Sequence, residues 1–220
     1  MSNVDLVLFD CDGTLINSEY VNNMSISEMM IELGHKKFTL PYCIDYFAGC
    51  SVHDVINTLN RLGVKDPNAA LKKMHKHAVD IARKELMAIK NVAETLEKIT
   101  IPKCVVSNGE NQIVREFLGI TGLSKFFKVG DIFTRELVEK AKPDPDLYLY
   151  AAKKMGDFLP ERCLVVEDSV VGVTAAKRAG MNVIGFIGAN HHHERSENLL
   201  LAAGAFVTVK NFSDILKYIV

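Results

Sequence analysis

The chain has 220 residues, 26 Lys and Arg against 27 Asp and Glu, and 48% hydrophobic residues. That length suits a core domain carrying a smaller insertion, with enough apolar side chains for a buried core. A formal charge of −1 gives no field aimed at nucleic acid or a membrane, and no apolar run nears the roughly 18 residues of a spanning helix, so neither partner is expected. The start, Met1-Ser2-Asn3-Val4-Asp5, has neither the basic stretch nor the small-residue cleavage site of a secretory signal. The five cysteines, Cys11, Cys43, Cys50, Cys104 and Cys163, are scattered without C-x-x-C spacing. They read as reduced thiols of a cytoplasmic protein, not as a disulfide scaffold or a cysteine zinc site.

In chain order, the first element is Val4-Asp5-Leu6-Val7-Leu8-Phe9, apolar on both faces from Leu6 onward, as a central parallel strand requires. It stops at the polar turn Asp10-Cys11-Asp12-Gly13-Thr14. Residues from about Ser18 to Met87 read as helices: one from Ser18 to Gly34, one from Ser51 to Gly63, and one carrying Leu71, Met74, Ala78, Ile81 and Leu86 at helical spacing. From about Asn91 strands and helices alternate. Strands are expected at Pro102–Val106, Cys163–Val166, Val183–Ile187 and Phe206–Val209. Helices are expected up to Ile99, at Asn111–Leu118, Pro145–Met155 and Val170–Ala179, near Leu199 and from Ser213. The pattern predicts an α/β fold, a doubly wound parallel-sheet core of residues 1–16 and 91–220 interrupted by a helical insertion at 17–90.

Ligands of open α/β sheets gather beyond the carboxyl ends of the strands. Asp10 and Asp12 follow the first strand, Ser107-Asn108 ends the second predicted one, and Glu167-Asp168 ends the third. Asp10 and Asp12 are two apart and leave an extended chain on the same side. One can attack phosphorus while the other handles a proton, and an aspartate nucleophile gives an acyl phosphate. So many carboxylates would repel a phosphate. A divalent cation shared by Asp10 and Asp168 resolves this, and oxygen donors without histidine favour Mg²⁺. The bland alternative, a polar turn after a strand, does not account for Asp168 and Lys142.

The Ser107 hydroxyl and the backbone N–H groups that follow, Asn108 first, can hold phosphate oxygens near a helix N-terminus. An ordinary helix cap is the other reading of Ser107. Lys142 lies in Lys142-Pro143-Asp144-Pro145, where two prolines stiffen the loop and fix where the ammonium starts its reach. The alternative is a solvated lysine. Adjacent strand residues face opposite ways, so Asp168 is the expected direct metal ligand and Glu167 acts through water or by orienting ligands. The run His191-His192-His193 cannot turn three consecutive rings to one ion and is not read as a metal site.

Asp10-Cys11-Asp12-Gly13-Thr14-Leu15, Ser107-Asn108, Lys142-Pro143-Asp144-Pro145 and Val166-Glu167-Asp168-Ser169 match, in order, the four motifs of the haloacid dehalogenase superfamily. The chain resembles its helical-cap subfamily, which includes β-phosphoglucomutase and many sugar-phosphate phosphatases. The resemblance implies Asp10 as nucleophile, Asp12 as general acid then base with its carbonyl on Mg²⁺, and Asp168 with Glu167 completing the metal site. It also implies Thr14, Ser107, Asn108 and Lys142 around the phosphate, and a cap loop at Gly49, Cys50 and Ser51, with Asn22, in substrate choice.

Two departures stand out. The usual Pro-Gly return from cap to core is replaced by Met87-Ala88-Ile89-Lys90-Asn91. The cap histidine of the mutases, twelve residues after the nucleophile, is Asn22 here. The expected activity is therefore Mg²⁺-dependent hydrolysis of a small phosphorylated metabolite, with sugar or sugar-acid phosphates such as 6-phosphogluconate favoured and phosphoglycolate a rival. A phosphosugar mutase is the runner-up. A signalling receiver is a weaker alternative, because receivers carry their aspartate on a mid-chain strand. The sequence does not fix the oligomeric state, and a monomer satisfies it.

Overall fold

The structure is a computed structural model that describes residues 4–47, 52–189 and 193–219. Gly49, Cys50 and Ser51 lie outside the described residues, as do His191 and His192. The chain divides into two compact units, Met1–Asn17 with Met87–Val220, and Ser18–Leu86.

The first unit begins with β1 (Leu6–Phe9), every residue of which is buried. The inserted unit holds α1 (Glu19–Glu32), α2 (Leu40–Tyr46), α3 (Val52–Arg61) and α4 (Pro67–Glu85). Its core joins Met29 and Met30 to Leu59, Leu71 and Met74, with Phe38 packed edge-on against Tyr42. The Asp66 side chain accepts the Ala69 N–H and so starts α4, with Pro67 at the first helical position where its missing donor costs nothing. Gly34 and Gly63 take positive φ just past α1 and α3, as helix ends favour.

The chain then continues through α5 (Val92–Lys98), β2 (Lys103–Ser107), α6 (Asn111–Ile120), β3 (Ile132–Thr134), α7 (Asp146–Gly156), β4 (Cys163–Glu167), α8 (Val170–Arg178), β5 (Asn182–Phe186), α9 (His193–Ala203) and β6 (Val207–Val209). The six strands form one parallel sheet in the order β3-β2-β1-β4-β5-β6. Alternate residues divide between its faces. Leu6, Leu8, Val106 and Val165 pack with Leu147 and Tyr148 of α7 and Val173 of α8. On the other face, the rings of Phe9 and Phe186 meet Phe212 at 5.9 and 5.5 Å.

Four features differ from the sequence reading. α2 was not among the expected helices. β3 was not expected; at three residues it is too short to show a period. The last element, Phe212–Tyr218, is a 3₁₀ helix. The units part between Leu86 and Met87, whereas the sequence reading places that boundary at 90. The reason is local pairing: Asn17 N–H donates to the Met87 carbonyl at 3.0 Å, Ile89 N–H to the Leu15 carbonyl at 2.9 Å, and Ile16 bridges Ala88 antiparallel.

Candidate active site

β1 sits where the strand order reverses, flanked by β2 and β4, and the crevice of a doubly wound sheet opens there. Asp10 is the first residue past β1. Its N–H donates to the Val166 carbonyl at 3.0 Å, which fixes the backbone, and the residue is only 8% exposed. The turn beyond it is tight: the Cys11 carbonyl accepts the N–H groups of Leu15 and Ile16. Gly13 takes a φ of +81°, and a Cβ there would collide with the Asp168 carboxylate. Glycine is required both by conformation and by space. Thr14 is fully buried, with its hydroxyl 3.5 Å from Asp168 Oδ1.

Lys142 enters from the loop before α7 and is almost fully buried. Its ammonium donates to Asp10 Oδ1 at 2.8 Å, to Glu167 Oε1 at 2.8 Å and to the Val106 carbonyl at 2.7 Å, and it lies 4.7 Å from the centre of the Tyr148 ring. A buried ammonium is tolerable only when its donors and charge are met, as here. Burial alone would lower its pKa, but Asp10 and Glu167 outweigh burial and hold it well above the ordinary lysine value. The solvated-lysine reading is therefore excluded.

Glu167 shares the sheet face of Val165 and points into the core. Its Oε1 also accepts the Tyr148 hydroxyl at 3.3 Å, and its Oε2 accepts the N–H and hydroxyl of Ser169, both at 2.9 Å. With both oxygens occupied, it orients Lys142 and the start of α8. The Asp168 carboxylate lies against Gly13 in the turn after β1. One carboxylate oxygen from each of Asp10, Glu167 and Asp168 lies within 4.8 Å of the others. Among the described residues, no hydrogen bond reaches Asp10 Oδ2 or Asp168 Oδ2. Burial raises the pKa of Asp10 well above the carboxylate range, with Lys142 opposing and Glu167 and Asp12 adding to the rise. Burial and then Glu167, Asp10 and Asp12 do the same to Asp168. Several carboxylates against one ammonium make a site short of positive charge. The all-oxygen donor set fits a hard divalent cation held by Asp10 and Asp168.

Ser107 closes β2 with its hydroxyl buried, accepting the Gly109 N–H at 2.9 Å. It does not cap α6, whose N-cap is Glu110. A Cβ on Gly109 would lie 3.1 Å from Ser107 Oγ and 3.6 Å from Asp12 Oδ2, so the hydroxyl and the Asp12 carboxylate flank this glycine. The Asn108 side chain turns to the Lys142 backbone, donating to its carbonyl and accepting its N–H.

The structure thus gathers Asp10, Asp12, Thr14, Ser107, Asn108, Lys142, Glu167 and Asp168 at the carboxyl ends of β1, β2 and β4. Asn22 is exposed on α1 in the other unit. Two residues were missed by sequence reasoning. Tyr148 walls the lysine, and its only sequence signal is its place one turn into the helix after Pro145. Gly172 has no room for a Cβ, which would collide with Glu167; its signal is a glycine in the first turn of a helix after an acidic strand end.

The profile of the haloacid dehalogenase-like hydrolases matches residues 7–186, from β1 through β5. The chain belongs to the haloacid dehalogenase-like hydrolase family. It is 33% identical over 198 residues to the 6-phosphogluconate phosphatase of Escherichia coli (strain K12), covering 87% of this chain and 86% of that protein. A conserved haloacid dehalogenase-like protein of unknown function from Agrobacterium tumefaciens str. C58 superposes with a TM-score of 0.78 at 30% identity, over 99% and 98% of the two chains. A family hydrolase from Deinococcus radiodurans R1, crystallised with bound phosphate and sodium, gives 0.75 at 29% identity over 98% and 94%. Within the family this chain is a phosphoric monoester hydrolase, a phosphatase. Phosphatases of the family generally use a divalent metal, which the acidic cluster suits. Among the described residues, no helix is long and apolar enough to cross a membrane.

Proposed function

We propose that this phosphatase hydrolyses a sugar or sugar-acid phosphate, 6-phosphogluconate first among them, with Mg²⁺ and through an aspartyl phosphate on Asp10. The observation that carries the chemistry is the buried contact of Asp10 with Lys142 at 2.8 Å, beside Asp168 and Thr14. The substrate reading leans on the relative from Escherichia coli named for that activity.

In the first step an Asp10 oxygen attacks phosphorus, the ester P–O bond breaks, and Asp12 gives its proton to the leaving alcohol. In the second, Asp12 takes a proton from water as that water attacks the same phosphorus, releasing inorganic phosphate and restoring the Asp10 carboxylate. Lys142 fixes the Asp10 carboxylate and balances charge, while the Ser107 hydroxyl and the N–H groups of its turn hold the non-bridging oxygens. Phosphoryl transfer rests mainly on such positioning and neutralisation. Mg²⁺ held by Asp10, Asp168 and the Asp12 carbonyl would supply the remaining positive charge.

The test is phosphate release from a panel of phosphorylated metabolites, scored by kcat/KM with Mg²⁺ and with EDTA. The expected result is highest turnover of 6-phosphogluconate, lost with EDTA, and an acid-quenched phosphopeptide containing Asp10. Preference for phosphoglycolate or a nucleotide would overturn the substrate, activity in EDTA the metal, and label elsewhere the nucleophile.

A further inference from the structure

The catalytic edge leaves a second charged feature unused. At the opposite end of the sheet, a cleft of about 570 Å³ opens where β2 and β3 begin and α7 ends. Lys103, Lys125, Lys128 and Lys154 line it, against a single carboxylate, Asp131. Asp131 is already engaged, its Oδ2 accepting the Lys128 N–H at 3.1 Å. Among the described residues, none of the four ammonium groups has a carboxylate within ion-pair distance. The walls between them are apolar, with Phe126, Phe127 and Met155 among the lining residues.

Ordinary solvation does not explain this grouping. The chain as a whole is nearly neutral, with 26 basic and 27 acidic side chains, so four lysines around one carboxylate are a local excess of positive charge. The dipole of α7 favours a cation at Lys154. It does not account for Lys103, which opens a strand and donates one ammonium proton to the Ile99 carbonyl at 2.9 Å, or for Lys125, which lies 4.9 Å from the centre of the Phe126 ring, and Lys128, which both precede β3 in short turns. Burial lowers the Lys103 pKa, a cost that a bound anion would offset. An apolar-walled cleft ringed by four lysines that, among the described residues, have no carboxylate partner matches an organic anion: charge for the lysines, carbon skeleton for the rings.

We propose that this cleft is a second ligand site, which binds an organic phosphate carrying at least two negative charges. It lies apart from the catalytic edge. Lys103 opens β2 and Ser107 closes it, so the two sites stand at opposite ends of one strand, roughly 13 Å apart at ~3.3 Å per residue.

The experiment uses the full-length Asp10→Asn protein, which cannot turn substrate over, at about 150 mM salt where loose surface association is screened. Fructose 1,6-bisphosphate, and separately inorganic pyrophosphate, are titrated while backbone amide shifts are followed. The expected result is saturable shifts at Phe126, Phe127 and Asp131 with a Kd below about 1 mM for the sugar bisphosphate, weakened about tenfold or more by Lys125→Gln with Lys154→Gln. Tighter binding of the sugar ester than of pyrophosphate supports the apolar walls. Equal or tighter pyrophosphate binding overturns the organic part of the proposal. Shifts confined to the turn at Asp10 and Ser107, failure to saturate, or an unchanged Kd in the lysine variant overturns the site. The same lysine pair in the otherwise native enzyme should leave kcat/KM without added bisphosphate unchanged, which separates loss of binding from loss of fold.

Discussion

Asn108 holds Lys142 by its main chain: Nδ2 donates to the Lys142 carbonyl at 3.0 Å, and Oδ1 accepts the Lys142 N–H at 3.1 Å. These two bonds span 34 residues and tie the end of β2 to the proline-stiffened loop. The ammonium can therefore meet Asp10 and Glu167 without any strand of its own to hold it. Asn108→Ala should misplace the lysine and lower kcat by about 10²-fold, with a much smaller change in KM. Asn108→Asp, which keeps the acceptor and loses the donor, should fall between. Unchanged kcat in Asn108→Ala would show that the prolines alone position Lys142.

Asp10→Asn should abolish turnover, because an amide cannot form the acyl phosphate. Asp12→Ala should lower kcat by about 10²–10⁴-fold, the usual worth of general acid–base help. Magnesium binding, followed calorimetrically, should survive the Asp12 change.

Gly172→Ala is expected to destabilise the fold although helices ordinarily favour alanine. Its Cβ would collide with the Glu167 carboxylate, a buried side chain whose two oxygens are both engaged. Overpacking of this kind costs about 1–3 kcal/mol, or about 2–4 °C in Tm per kcal/mol for a chain of this size. Gly130→Ala is the control, since nothing lies within 4 Å of its Cβ position, and its Tm should stay within the range of ordinary surface changes.

The buried thiols give a test at alkaline pH. Burial pushes Cys43 up to about 11 and Cys163 up to about 12, from an ordinary 9.0. The folded chain holds these protons more tightly than the unfolded one, so stability is full below pH 9 and declines as pH rises toward 11–12. The denaturant midpoint should be lower at about pH 10.5 than at about pH 8, and Cys43→Ala should flatten part of that decline. A midpoint rising with pH would contradict the burial of these thiols.

The strands that build the site were legible because they are continuous apolar runs, as in Leu6–Phe9 and Cys163–Val166, and the polar residues at their ends gave the chemistry directly. β3 was not, because an edge strand of three residues between 3₁₀ turns carries no period. Asp10, Lys142 and Asp168 could be placed from motif and topology together. The work of Asn108, Tyr148 and Gly172 could not: Asn108 and Tyr148 act on Lys142 only when the loop before α7 folds against β2 and β4, and Gly172 matters only because the Glu167 side chain turns back against the start of α8. Sequence spacing locates groups that act at a strand end; it does not reveal the groups that hold them there.

The pairing of Leu15–Asn17 with Met87–Ile89 has a consequence for how such a chain can change. Both crossings between the units are stitched to each other inside the catalytic unit, so the 69 residues from Ser18 to Leu86 hang from a single closed seam. Helices can be lengthened, traded or remodelled beyond that seam while the turn carrying Asp10 keeps its footing. The arrangement lets the inserted helices and the catalytic turn vary as separate parts of one polypeptide.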